Sequence, residues 1–216
     1  NMSDENNSIT DKIVDEALQS KTQLYDKNSD YHYDTISAFI KSVRGSDPDA
    51  AIYWMAVMLE GGEKPEFILR RLIILASEDI GNADPQALQI TVAGFQATNI
   101  IGMPESAIIL SQITAYLASA PKSNASYVAI NQAQEKVRKN GTPDIPLHLR
   151  NATTNLMKKE NYGKDYKYPH NYSDKFVKEN YFPSGIQETF YQPTNSGYEN
   201  YIRERLIKNW PERYNT

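Results

Sequence analysis

PEFILRRLIILASEDI, residues 65–80, places apolar side chains almost all the way round a helix. Such a pattern is typical of a central helix with neighbours on several sides, whereas a surface helix has one apolar stripe. Arg70 and Arg71 lie in the middle of this helix, and Glu78 and Asp79 face the negative end of its dipole. We expect these four side chains to form a structural ion-pair network. An acid/base or metal site is the alternative.

The sequence on both sides of this stretch repeats one arrangement of capping residues. A turn-forming residue, often followed by proline, precedes each apolar-periodic segment, and a glycine or small polar residue follows it. Proline suits a first helical turn because its missing N–H would be unpaired there, and glycine accepts the left-handed conformation at a helix exit. The arrangement predicts helices at residues 31–44, 48–60, 65–80, 85–101, 104–119 and 123–139. A shorter helix, capped by Thr10, is predicted at residues 11–19.

The helical periodicity predicts an all-α fold in which short connections hold the helices in a compact antiparallel array. One apolar stripe with helical spacing consists of Ala51, Trp54, Met55, Met58 and Leu59. The alternating pattern of a half-buried strand does not occur over any length. We therefore expect a helical domain at residues 30–140, after a polar N-terminal segment at residues 1–29.

The composition changes after Gly141, where proline, glycine and tyrosine become frequent. This change predicts an irregular extension at residues 141–216 that packs on the helical domain, because a tyrosine can bury its ring while its hydroxyl stays in water. Short helices are predicted near residues 146–159 and 175–180, and a C-terminal helix at about residues 196–210.

Composition excludes several kinds of chemistry. The 216 residues include no cysteine and three widely separated histidines, which excludes disulfides and thiolate metal sites and argues against a histidine-built one. No apolar run approaches the roughly 20 residues that span a bilayer, and the N-terminus lacks the features of a signal peptide. We therefore expect a soluble cytoplasmic chain without a membrane partner. The opening Asn1-Met2 suggests an internal part of a longer protein.

The sequence contains no motif for nucleotide binding or catalysis. A phosphate-binding loop needs a glycine-rich turn that ends in Gly-Lys-Ser/Thr before a helix, and no stretch fits. We expect His32, His148 and His170 to serve in packing or in turns. A hydrolase built from the acidic pair of residues 78–79 and either His32 or His148 is a less favoured alternative. We assign no catalytic, metal or cofactor-binding residue.

Basic residues gather late in the chain. Residues 1–139 carry 12 Lys and Arg against 18 Asp and Glu, whereas residues 140–216 carry 11 against 9. Seven basic residues are interleaved with tyrosines at residues 150–178, a combination that suits the phosphates and bases of a single-stranded nucleic acid. Buried tyrosines among solvated lysines would give the same pattern. The candidate contacts for DNA or a partner are Arg150, Lys158, Lys159, Lys164, Tyr166, Lys167 and Tyr168.

Several long runs of sequence resemble one family. They include SAFIKSVRGSDPDAAIYW at residues 37–54, RRLIILASEDIGNADPQA at residues 70–87 and GKDYKYPHNY at residues 163–172. These runs are similar to the C-terminal region of the replication-associated recombination protein A family, also called RarA or MgsA. Its eukaryotic relatives interact with the Werner helicase. The resemblance extends from about residue 9 to residue 201.

The resemblance implies that this chain is one functional region of a longer protein. In this family a clamp-loader-like AAA+ ATPase module comes first, and the helical region that follows mediates the assembly of a homotetramer. The end of the ATPase lid would lie at about residues 9–21. The site for ATP and Mg²⁺ would precede Asn1, so we expect this fragment to be no enzyme. The whole protein would act in the bacterial nucleoid at stalled replication forks, together with DNA and single-stranded-DNA-binding protein.

Two functions therefore remain open for the fragment. The favoured one is self-association, most simply as a tetramer, because an acidic helical body without an active site is typical of an oligomerisation module. The alternative is a nucleic-acid-binding module that uses the basic and aromatic residues of residues 150–178. The sequence does not indicate which residues would form an interface.

Overall fold

The computed structural model describes residues 29–215, with side-chain burial from residue 31 onward. The described residues form α-helices and short 3₁₀ and π segments, with no β-strand in that range, which confirms the predicted all-α fold. The predicted helix at residues 11–19 lies outside them. The α-helices are α1 (Ser29–Arg44), α2 (Pro48–Glu60), α3 (Pro65–Leu75), α4 (Gln86–Ile101), α5 (Ser106–Ser119), α6 (Ala125–Asn140), α7 (Asn155–Lys159), α8 (Glu199–Asn209) and α9 (Pro211–Tyr214).

Contacts divide the chain into two compact units, residues 1–122 and residues 123–216. We call the described part of the first, residues 29–122, the helical unit, and that of the second, residues 123–215, the tyrosine-rich unit. The contacts group α6 with the tyrosine-rich unit. The domain limits predicted after residues 29 and 140 stay predictions.

The core of the helical unit forms around α3. This helix contacts α1, α4 and α5, and it buries Ile68, Leu69, Leu72 and Leu75. Burial all the way round was predicted, and that prediction is wrong at Ile74, which is 48% exposed. The neighbouring helices leave one side of α3 open to solvent.

The predicted helix at residues 65–80 changes its hydrogen bonding before it ends. The α-helix stops at Leu75, and a π-helical turn, Ala76–Ile80, continues it into a 3₁₀ turn, Gly81–Ala83. Gly81 has a φ of 52°, in the left-handed region that favours glycine. Wide π turns are uncommon and often occur at functional positions. This one carries the acidic pair Glu78 and Asp79.

Close packing between α4 and α5 depends on small side chains. The buried face of α4 consists of Ala87, Thr91, Gly94 and Thr98. A Cβ atom added to Gly94 would lie 2.0 Å from Cδ1 of Ile113, a side chain buried in α5. The backbone of α4 therefore lies so close to Ile113 that a larger residue at position 94 would require the Ile113 side chain to move.

Hydrogen bonds to one carboxylate join three segments of the tyrosine-rich unit. Among its described residues the buried ones are Ser123, Ala125, Pro193 and Glu199. Oε2 of Glu199 accepts hydrogen bonds from the Ser123 hydroxyl at 2.6 Å and from both the amide and the hydroxyl of Thr194 at 2.8 Å. The Tyr191 hydroxyl donates to Oε1 at 3.0 Å. Glu199 also begins α8, where a helix dipole favours negative charge.

Parts of the irregular extension differ from prediction. The prediction of a helix near residues 175–180 is wrong, because residues 176–180 have no regular secondary structure. Their charged side chains contact distant segments: Lys178 pairs with Glu212 at 3.0 Å, and Glu179 with Lys167 at 3.0 Å. Residues 146–159 hold a 3₁₀ turn, Leu147–Leu149, separated from α7. The predicted C-terminal helix is present as α8.

Candidate functional site

The acidic pair of the π turn is bound by an arginine of another helix. Nε of Arg44, the last residue of α1, donates to Oδ1 of Asp79 at 2.6 Å, and its Nη2 lies 3.8 Å from Oε1 of Glu78. The hydrogen bond to Asp79 raises the pKa of Arg44. The hydrolase hypothesis required these carboxylates to meet a histidine, and their pairing with arginine contradicts it.

Arg70 and Arg71 were predicted to pair with Glu78 and Asp79, and the structure corrects this prediction because both carboxylates pair with Arg44 instead. The Arg70 guanidinium lies 5.9 Å from the centre of the Phe67 ring. Within the described part of the chain, the buried Nε of Arg71 has no hydrogen-bond partner. Side chains on one α-helix meet when they are three or four residues apart. Arg70 and Arg71 lie at least seven residues before the acidic pair, which the π turn carries beyond the end of α3. Arg44 takes the expected role of Arg70 and Arg71.

Each histidine has an identifiable contact. Nδ1 of His32 lies 3.1 Å from a carboxylate oxygen of Glu63, and Nε2 of His148 lies 3.0 Å from the carbonyl oxygen of Asn180. The His170 ring lies beside Tyr168. Within residues 29–215, histidines and carboxylates form no group of three or more that could hold a metal ion.

The outer surface of α4 and α5 lacks charge and exposes large apolar side chains among amides such as Gln89, Gln96 and Asn99. Neither helix contains Asp, Glu, Lys or Arg. Ile100 is 84% exposed and Ile108 is 72% exposed. We define the α4–α5 apolar surface by its six large exposed side chains, Leu88, Val92, Ile100, Ile101, Met103 and Ile108. No helix in the part of the chain that the structure describes is long and apolar enough to cross a bilayer.

A tight connection brings four of these six side chains to one end of the helix pair. The connection from Gly102 to Glu105 reverses the chain, and the hydroxyl of Ser106 donates to the Gly102 carbonyl at 2.7 Å. Ile100 and Ile101 end α4, and Ile108 lies in the first turn of α5. Scattered apolar residues are normal on a protein surface, but a patch of large apolar side chains without charge indicates an interaction site.

The tyrosine-rich unit contains a second candidate site, an open cavity of about 560 Å³. We call it the tyrosine cavity and define it by His148, Arg150, Tyr162, Tyr166 and Tyr181. Arg150 donates from Nε to the carbonyl oxygen of Ile145 at 2.7 Å and from Nη1 to the Tyr162 hydroxyl at 3.2 Å. Its guanidinium carbon lies 5.2 Å from the centre of the Tyr162 ring, in cation–π range.

The structure brings together four of the seven candidate contact residues. Arg150 and Tyr166 line the tyrosine cavity, and Lys164 and Lys167 line a neighbouring cavity of about 520 Å³ that also includes His148. The other three, Lys158, Lys159 and Tyr168, do not line either cavity. Tyr181 was missed because it follows the basic segment in sequence.

The sequence of the chain matches two known protein families. Residues 45–210 match the family described as MgsA AAA+ ATPase C terminal, and residues 1–44 match the family described as AAA C-terminal domain. The chain belongs to the MgsA C-terminal family. The resemblance found in the sequence is therefore confirmed. In this MgsA-family chain the two matches meet directly after α1, so the ion pair between Arg44 and Asp79 joins residues from both.

Relatives of the MgsA-family chain occur in bacteria and in a eukaryote. Replication-associated recombination protein A of Coxiella burnetii is 44% identical over 200 residues, which are 92% of this chain and 46% of that protein. The protein of the same name from Escherichia coli K12 is 43% identical over 90% of this chain and 44% of its own. ATPase WRNIP1 of Dictyostelium discoideum is 43% identical over 85% of this chain and 21% of its own. The chain spans less than half the length of each.

Proposed function

We propose that this chain is the self-association region of a clamp-loader-like AAA+ ATPase that acts in replication-associated recombination at stalled forks. The observation that carries the proposal is the α4–α5 apolar surface, which is exposed and uncharged in a chain of net charge −4. The names of the relatives support the biological setting. ATP hydrolysis, and contacts with DNA and single-stranded-DNA-binding protein, would belong to the longer protein.

Energetic estimates support self-association through this surface. Burying a large aliphatic side chain stabilises a contact by about 1.5–3 kcal/mol, so six of them contribute on the order of 10 kcal/mol. Association costs about 4–15 kcal/mol in lost freedom. The apolar surface can therefore form the centre of an interface, and a rim of polar contacts would complete the roughly 800 Å² that each partner buries in a stable complex.

The proposed assembly is a tetramer. A two-fold contact uses the same patch on both partners. The α4–α5 apolar surface suits such a contact because neither helix carries a charged side chain, and the exposed Glu105 of the connection would lie at its rim. Four copies require a second contact of another kind. Ile74, half-exposed on α3, marks a further apolar position of the helical unit that could belong to it.

Light scattering tests the proposal. We expect the full chain to have a tetrameric mass at tens of micromolar. The double substitution Ile100→Glu and Ile108→Glu should reduce it to the dimer that the second contact still holds. The matched control is Ile145→Glu in the tyrosine-rich unit, because Ile145 is 61% exposed and lies outside the surface. An unsubstituted chain that is monomeric at this concentration would contradict the proposal.

A second candidate function is contact with nucleic acid. It is favoured by the tyrosine cavity, in which an arginine and three tyrosines come together. A charge-reversing double substitution, Lys164→Glu and Lys167→Glu, tests whether the neighbouring lysines contribute. We expect weaker binding of single-stranded DNA at low salt, since each lysine that contacts a phosphate adds to affinity. Unchanged affinity would remove this candidate.

A further inference from the structure

We propose that the tyrosine cavity binds one unpaired base of a single-stranded nucleic acid, with the adjoining phosphates directed toward Lys164. This inference rests on the second candidate function and is independent of self-association. The cavity, at about 560 Å³, falls within the range of 300–1,000 Å³ that is usual for small-molecule sites.

Two tyrosine rings of the cavity have open faces. Tyr166 is 46% exposed and Tyr181 is 42% exposed. Other aromatic side chains of this unit pack in pairs, such as Phe176 with Trp210 and Phe182 with Phe190. Within the described residues, neither Tyr166 nor Tyr181 packs against another ring. An exposed ring face offers a base the stacking contact that single-strand binders use.

Arg150 supplies a fixed group of hydrogen-bond donors beside these rings. A guanidinium has five N–H groups, and the contacts of Arg150 with Ile145 and Tyr162 use two of them. Those contacts hold its position, and the remaining N–H groups can donate to the oxygen and nitrogen acceptors of a base edge. Rings and donors together match the flat, polar-edged shape of a base.

Lysines beside the cavity can contact the phosphates that accompany a base. The neighbouring cavity adjoins at His148, and its lining includes two lysines, Lys164 and Lys167, and two carboxylates, Asp165 and Glu179. Lys167 is paired with Glu179 at 3.0 Å, whereas Lys164 makes no ion pair within the described part of the chain. Lys164 is therefore the available cation. A duplex keeps its bases stacked and paired, so a single strand places a base in the cavity at a lower free-energy cost.

The deciding experiment separates stacking of bases from attraction to phosphates. Fluorescence anisotropy of the full chain would compare labelled oligothymidylate of about 12 nucleotides with an abasic strand of equal charge. We expect oligothymidylate to bind roughly tenfold more tightly, since stacking on aromatic side chains accounts for much of such binding. The double substitution Tyr166→Ala and Tyr181→Ala should abolish this difference, whereas Tyr166→Phe, which keeps the ring, should retain it.

The matched control is Tyr201→Ala, because Tyr201 is 56% exposed in the same unit but lies outside the cavity. It should leave both affinities unchanged. Equal affinities of the unsubstituted chain for the two strands, or an equal loss in the Tyr201 variant, would overturn the inference. A chain whose self-association is weakened by Ile100→Glu and Ile108→Glu should keep its preference for bases, so a failure of self-association would not be mistaken for a failure of the cavity.

Discussion

The helical unit buries aliphatic side chains from five helices, whereas few of the residues described in the tyrosine-rich unit are buried, and one of these is the hydrogen-bonded carboxylate of Glu199. Aliphatic burial is non-directional and leaves a periodic pattern in the sequence. A carboxylate that accepts four hydrogen bonds is directional, and it leaves no such pattern. The two units thus obtain their stability from different sources, and substitutions in one should act differently from substitutions in the other.

Glu199→Ala should have the largest effect on the tyrosine-rich unit. It would leave the hydroxyls of Ser123, Tyr191 and Thr194 without their acceptor, at a cost of about 3–5 kcal/mol. Amide hydrogen exchange should show faster exchange in α6 and α8 and little change in α3. Glu204→Ala, an exposed change on the same helix, is the matched control. Equal protection of α8 in both variants would mean that the carboxylate does not organise this unit.

Leu72→Ala should produce the opposite pattern. Leu72 is fully buried at the centre of the helical unit, and its truncation would destabilise that unit by about 3 kcal/mol through lost burial and a residual cavity. Hydrogen exchange should increase in α3, α4 and α5. Ile74→Ala on the same helix should cost less, because Ile74 is half-exposed. A comparable cost at both positions would contradict a core centred on one face of α3.

Gly94→Ala should destabilise the helical unit by about 1 kcal/mol, because a steric cost of about 1–3 kcal/mol exceeds the gain of about 1 kcal/mol in helix propensity. Chemical denaturation would measure the loss. The added Cβ would meet Cδ1 of Ile113, so Ile113→Val in the same chain should recover part of the stability. If the second substitution only adds to the loss, the contact between α4 and α5 is not the cause.

Tyr116→Phe should have the smallest effect at neutral pH, about 0.5 kcal/mol, because solvent screens the hydrogen bond from Tyr116 to Asp84. This bond is 2.5 Å long and raises the pKa of Tyr116 to about 12, above an ordinary value of 10.0. The raised pKa adds stability that is complete below pH 10 and is lost as the pH rises towards 12. Unfolding free energies of both proteins should therefore converge over that interval; a constant difference would contradict the assignment.

Much of the helical unit could be predicted from the sequence, because caps and periodic apolar residues are local signals. Asp47 caps the N-terminus of α2, as the sequence indicated: its side chain accepts a hydrogen bond from the amide of Ala50 at 2.9 Å. Pro48 is the first residue of the helix. The pairing of Arg44 with Asp79 could not be predicted, since it joins residues far apart in sequence. The charge-free sequence of α4 and α5 was present from the start, and it is the signal that could have located the apolar surface.

The tyrosine-rich unit was predicted less well for a physical reason. Its contacts are hydrogen bonds and ion pairs between segments without periodicity, such as Lys136 with Glu188 at 2.5 Å. Basic and aromatic composition indicated the general location of the tyrosine cavity, but the participation of Tyr181 depends on how the chain folds back. In the sequence, nothing distinguishes Glu199 from any other charged residue at the beginning of a helix, so its burial could not be predicted.

The position of α1 bears on where the helical unit can be divided without loss of its core. The two family matches change at residues 44 and 45, yet Phe39 and Val43 are fully buried in the core that α1 shares with α2 and α5. A protein trimmed to begin at Gly45 would lose those side chains and expose the apolar surface beneath them. The boundary between the matched regions therefore falls within a packed core, and neither match by itself contains all of the residues that form it.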